Sequence, residues 1–188
     1  MKKLIFAFLF FISTLAVQAQ LAALGVESRG GGNIILVASK MSPQKNIVEN
    51  LGSSGEHTSL IMAIQSADLI ELLQQQGPYT FFAPSNASFT KLMQGNISST
   101  DEDKKKLSRL IKSHIVSGRL DANTLIKMIK EADGAASLTT LSGDVLQVTK
   151  KGKKILLTDL QGKQSTILMP DNEQSNGLIH IIDKVLTQ

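Results

Sequence analysis

Cysteine and tryptophan are absent from the 188 residues, tyrosine occurs once and histidine three times. Without cysteine the chain forms no disulfide, offers no thiolate to zinc, and carries no cysteine for lipid attachment after a leader. A domain of this composition is held by its core alone. Without tryptophan, the exposed aromatic platform that commonly stacks on sugars is hard to build. A strong excess of one charge is also missing, since 20 Lys and Arg face 16 Asp and Glu.

Long apolar runs are confined to the first residues. Met1-Lys2-Lys3 is a basic start, Leu4 to Val17 is almost uninterruptedly apolar, and "VQA" before Gln20 suits a signal peptidase. Residues 1–19 therefore read as a signal peptide cleaved after Ala19. The run is shorter than the roughly 20 residues a spanning helix needs, and Gln18 and Gln20 close it, so no stable membrane span is expected. Removing it takes away Lys2 and Lys3, leaving 18 basic residues against 16 acidic, a net charge of +2 on 169 residues. Nucleic acid is thus not an expected partner; Lys104 to Lys106 and Lys150 to Lys154 read as solvated clusters.

Residues 20–32 end in "ESRGGG" and read as a flexible lead, since the spacing of a phosphate loop is missing. "IILVA" (34–38) looks like an extended segment. Between Thr58 and Gln75, Leu60, Ile61 and Ile64, then Leu69, Leu72 and Leu73, recur at helical spacing, which predicts two short helices stopped at Gly77-Pro78. Thr100 to Asp103 supplies an N-cap and an acidic first turn for a helix burying Leu107, Leu110 and Ile111. Asp121 caps another, with Leu125, Ile126 and Ile129 inward and Gly134 placed to end it. Beyond Gly134 the period shortens. "SLTTL", "DVLQVTK", "KILLTDL", "QSTILM" and "GLIHIIDKVL" are short, rich in apolar and β-branched residues, and separated by Gly-containing turns. Helices first and strands afterwards predict an α+β fold rather than a parallel βαβ array.

All the aromatic residues beyond the leader lie in one stretch, "YTFFAPSNASF" (79–89). Thr80 to Ala83 reads as a buried strand that Pro84 ends, and Ser85 or Asn86 as the cap of a helix facing Phe89, Leu92 and Met93 inward. Buried rings, each contributing roughly 1.5–3 kcal/mol, would anchor the core there.

The segment "TFFAPSNASF" resembles the first signature of fasciclin domains. "LIKSHIVSGRL" (110–120) is similar to their central segment, and "NGLIHIIDKVL" (176–186) to their closing strand, in the same order and spacing. The resemblance implies one such domain over residues 33–188, a β-sandwich or wedge of about seven strands with several packed helices. Its structural signature residues here are Thr80, Phe81, Phe82, Pro84, Asn86, Phe89, His114, Gly177, His180 and Asp183. In animal members the central tyrosine-histidine pair and the segment before the closing strand are connected with integrin binding. Here Ser113 precedes His114, so that recognition mode is not carried over.

No reaction chemistry stands out. His57, His114 and His180 are far apart with no metal-ligand spacing, and His180, alternating with Leu178 and Ile182, reads as a core histidine. Ser53 and Ser54 in "GSSGEH" lack a nucleophile elbow. No cofactor is expected. Asn86-Ala87-Ser88 and Asn96-Ile97-Ser98 match glycosylation sequons. The expectation is an exported, non-enzymatic adhesion or protein-interaction module, periplasmic, cell-surface or extracellular, with a protein or a surface or matrix component as partner. The basic leader and the cysteine-free domain suit a bacterial exported protein. The alternative is an envelope protein that binds a small molecule or glycan, or hydrolyses one. Recognition is placed on Arg119 and on Asp171, Asn172, Glu173 and Gln174, in a loop (170–176) expected to be polar and exposed.

Overall fold

The computed structural model describes residues 41–75, 77–93 and 100–187, all within one compact unit, Ala38–Gln188. The leader, the flexible lead, "IILVA" and the second sequon lie outside the described residues. Six α-helices and seven strands follow in chain order among the described residues. Helix α1 is Ile47–Ser53, followed by a 3₁₀ turn, Gly55–His57; α2 is Thr58–Ser66 and α3 is Ile70–Gln74. Strand β1 (Tyr79–Pro84) leads to α4 (Asn86–Met93), α5 (Asp101–Lys112), β2 (Ile115–Ser117) and α6 (Ala122–Glu131). Then come β3 (Ala135–Thr139), β4 (Val145–Lys151), β5 (Lys154–Thr158), β6 (Gln164–Gln174) and β7 (Gly177–Ile182). None of the described helices is long and apolar enough to cross a membrane.

Local chemistry sets several of these boundaries. Asn46 and Glu49 form a reciprocal capping box on α1. Thr100 caps α5 and Asp121 caps α6, each accepting the N–H three residues on, as the sequence predicts. The restart between α2 and α3 falls at Asp68, whose φ of +55° breaks the helix, and the Gly77-Pro78 peptide is cis.

The strands form one sheet in the order β2-β1-β7-β6-β5-β4-β3. β1 and β7 are parallel; the other neighbours are antiparallel. The edge strand β2 approaches the end of β3 through a bridge between Val116 and Thr140, and Leu141 N–H donates to the Ile115 carbonyl at 2.7 Å. The sheet thereby curls almost to closure. This is the α+β, seven-stranded architecture expected, although one strand pair is parallel and β1 and β2 fall among the helices.

Alternation along the central strands divides the core in two. Phe81 and Ala83 of β1 and Ile179 of β7 face the helices, packing with Ile47, Leu51, Ile64, Phe89 and Ile111. Phe82 and Ile182 point the other way, toward Val148, Leu157 and Ile167, where α6 adds Leu125 and Ile129. The three phenylalanines are at most 1% exposed. The aromatic cluster is therefore the hinge of both cores, two neighbouring rings serving opposite faces of one strand.

Candidate functional site

Around the central parallel pair, buried polar groups fix the chain that carries Arg119. Thr80 Oγ1 donates to the Gly118 carbonyl at 2.7 Å and accepts Leu120 N–H at 2.8 Å. His180 Nε2 donates to the Leu120 carbonyl at 2.8 Å, and its Nδ1 accepts Asp171 N–H at 3.2 Å. That pairing sets the neutral Nε2–H tautomer. The His180 ring also stacks on Phe82, centroids 5.4 Å apart. Burial lowers its pKa below the ordinary histidine range, outweighing the opposing effects of the Leu120 carbonyl and of Asp171 and Asp121.

Upon this base stand the predicted recognition residues, and here the structure differs from the expected loop. Residues 170–174 are the far end of β6, paired with β7 through two register shifts, at Ile167/Met169 and Met169/Asn172. The bulges break the period-2 pattern that would mark a strand, with Asp171 at φ +59° within the second. The Asp171 carboxylate accepts Ala122 N–H at 2.8 Å, at the head of α6. Asn172 donates to the Met169 and Ile179 carbonyls. Gln174 is not a surface group: it is buried, hydrogen-bonded to Asn50, to the Asn172 carbonyl and to Met41 Sδ. Arg119 and Glu173 do come together, in a 2.9 Å ion pair, and Arg119 also donates to the Gly177 carbonyl at 3.2 Å. Earlier along the same strand, three to five residues before Glu173, Leu168, Met169 and Pro170 are exposed. Sequence reasoning missed this apolar element. Its one signal is "LMP", where successive apolar residues before a proline cannot all face one core.

The remaining signature residues are framework. Gly177 passes so close to β1 that a Cβ would lie 2.0 Å from the Tyr79 carbonyl oxygen. Of the two expected cap residues, Asn86 turns instead to the start of α2, accepting Ser59 N–H at 3.0 Å and donating to Gly55 O and Thr58 Oγ1. Ser85 takes the cap position, its carbonyl accepting Phe89 N–H at 3.0 Å. Asp183 accepts Thr166 N–H at 2.7 Å and the Ser165 hydroxyl at 3.0 Å. Burial would raise its pKa, but these bonds prevail and lower it. His114 Nδ1 donates to the Leu110 carbonyl at 2.8 Å while Nε2 accepts Leu186 N–H at 2.9 Å, tying α5 to the end of the chain. Complete burial holds its pKa down at about 4.

His57 Nδ1 lies 3.0 Å from Ser54 Oγ, but Ser54 is the cap of the 3₁₀ turn and accepts Glu56 N–H. The other ring nitrogen, Nε2, has no hydrogen-bond partner, so no carboxylate orients this imidazole as a general base would need. Among the described residues no group of three His, Asp or Glu side chains is arranged to hold a metal.

A family model described as Fasciclin domain matches residues 55–188. The protein sll1483 of Synechocystis sp. is 31% identical over 142 residues, covering 74% of this chain and 72% of that protein. A second protein of the same organism, sll1735, is 29% identical over 141 residues, covering 75% of this chain and 96% of its own length. Among solved structures, a FAS1 domain pair from the insect cell adhesion molecule Fasciclin I superposes with a TM-score of 0.62 at 18% identity, over 87% of this chain. The chain spans 58% of that structure.

Proposed function

We propose, because the chain belongs to the Fasciclin domain family, that it is an exported, non-enzymatic adhesion or protein-interaction module that presents a preformed surface. The insect relative of known structure is a cell adhesion molecule, and the basic leader with "VQA" before Gln20 supports export. The carrying observation is the corner formed by Arg119, Met169, Pro170, Asp171 and Glu173. An apolar side chain, an ion pair and a carboxylate are exposed there over a layer in which Thr80 and His180 hold both flanking segments. Such a surface loses little entropy on binding, because its backbone is already fixed.

The test is capture of envelope and extracellular components by the purified mature chain, alongside R119A/E173A and M169S variants. The ion pair is exposed, worth at most about 1 kcal/mol, so the double variant keeps its melting temperature within a few degrees. Loss of a reproducible partner in both variants supports the corner; undiminished capture by both removes it. N-terminal sequencing of the exported protein should begin at Gln20, and an intact Met1 would contradict the export reading.

A further inference from the structure

The β4–β5 hairpin carries four lysines, Lys150, Lys151, Lys153 and Lys154, around a turn at Gly152, whose φ is +61°. All four are exposed, and among the described residues none enters an ion pair. Lys151 and Lys154 are direct cross-strand partners, an arrangement of like charges that costs stability. β3 pairs with β4 only as far as Thr149, and β6 with β5 only from Leu156, so the lysines lie on a hairpin tip beyond both neighbouring strands, where they also guard exposed backbone against pairing with another chain. The directly opposed like charges still cost stability that folding alone does not explain.

The same hairpin continues into the outer face of the sheet. Buried Leu146, Val148, Ile155 and Leu157 take the inner side, leaving their neighbours outward. Ser137, Gln147, Thr158 and Gln164 are consecutive partners across β3, β4, β5 and β6, so a row of hydroxyl and amide groups crosses four strands, about 14 Å at ordinary strand spacing. The lysine pair lies four residues further along the same strands, about 13 Å away. Among the described residues the face holds no aromatic side chain.

We infer that this face binds an acidic polysaccharide, Lys151 and Lys154 pairing with its carboxylates, Lys150 and Lys153 adding positive potential from the hairpin tip, and the hydroxyl and amide row bonding its hydroxyls. Charge complementarity selects the partner, and the polar row extends the contact beyond a point attraction. Neutral glycans and single-stranded nucleic acids lack a ring to stack on here. The surface shares no residue with the Arg119 corner.

The experiment is isothermal titration of the full mature chain with polygalacturonate and with neutral dextran at low ionic strength. Binding to polygalacturonate alone, weakening as salt rises, is expected. Replacing all four lysines with glutamine removes four exposed pairs of a few tenths of a kcal/mol each and should weaken binding about tenfold, with the thermal transition retained. A Q147A/T158V variant should weaken it several-fold without changing its salt dependence. Undiminished binding by the four-lysine variant overturns the inference. So does equal affinity of the wild type for single-stranded polynucleotide or anionic phospholipid vesicles, which would mark charge without glycan recognition.

Discussion

Asn176 is buried between β6 and β7, and a single substitution there should loosen two helix ends at once. Its Oδ1 accepts Ile47 N–H at 3.0 Å, in the first turn of α1, and its Nδ2 donates to the Leu73 and Gln75 carbonyls at 2.7 and 2.9 Å, at the end of α3. Helix ends leave N–H and C=O groups without partners of their own, and this side chain satisfies both kinds. Asn176→Ala orphans all three, of which the Gln75 carbonyl can still reach water at the surface. At about 1 kcal/mol or more per orphaned group the loss is about 3 kcal/mol. For a chain of this size that lowers the melting temperature by about 6–12 °C. Asn176→Asp separates hydrogen bonding from packing, because it keeps the shape and the acceptor while pointing a carboxylate at two carbonyls. It should be no more stable than the alanine variant at pH 7. Its buried carboxyl has a raised pKa, so the stability it contributes is present at low pH and lost as pH rises through that value. Urea unfolding followed by circular dichroism at pH 7 and pH 5 measures both variants, with an unchanged m-value securing the comparison. A loss below about 1 kcal/mol for the alanine variant would show that the bonds are replaceable, and refute the reasoning.

Two further outcomes follow from the core. His114, held at about 4 in the folded protein against 6.5 unfolded, keeps its stability above pH 6.5 and loses about 3 kcal/mol as the pH falls toward 4. His180, lowered by burial, acts in the same direction. Denaturation midpoints that stay flat between pH 7 and 4.5 would contradict both assignments. Phe81→Ala, Phe82→Ala and Phe89→Ala should each cost about 3–5 kcal/mol in the same urea assay; a change below about 0.5 kcal/mol would place that ring at the surface.

The helices after residue 57 were legible because they carry their own punctuation: Thr100 and Asp121 as caps, Gly77-Pro78 as a stop, and leucine and isoleucine at helical spacing. Helix α1 was not read, although its Asn46–Glu49 capping box is a signal of the same kind. The strands β3 to β5 were legible because one face is buried and the other wet, which writes strict alternation into the sequence. β6 was not, past Met169. Its bulges shift the register, so exposed Leu168, Met169 and Pro170 follow one another, and a polar strand end then looks like a loop. β2 was hidden for a different reason. Only three residues long, it draws its partners from β1 and the far end of β3, contacts that no local pattern announces.

The site was legible only in outline, and the reason lies in what its residues do. Thr80, Asn86, His114, Gly177, His180 and Asp183 look functional in a sequence because they are polar or unusual, yet each is committed to backbone groups or close packing. A side chain whose hydrogen bonds are all satisfied internally has nothing left to offer a partner. The recognition proposed above instead uses exposed groups that the fold needs little: Met169 and the Arg119–Glu173 pair, and the lysines and polar row of the outer sheet, where Gln147 donates to Ser137 but keeps its carbonyl oxygen and a second N–H. Their hydrogen bonds and charges contribute little to folding, so substitution there separates binding from stability, whereas substitution of the signature residues cannot.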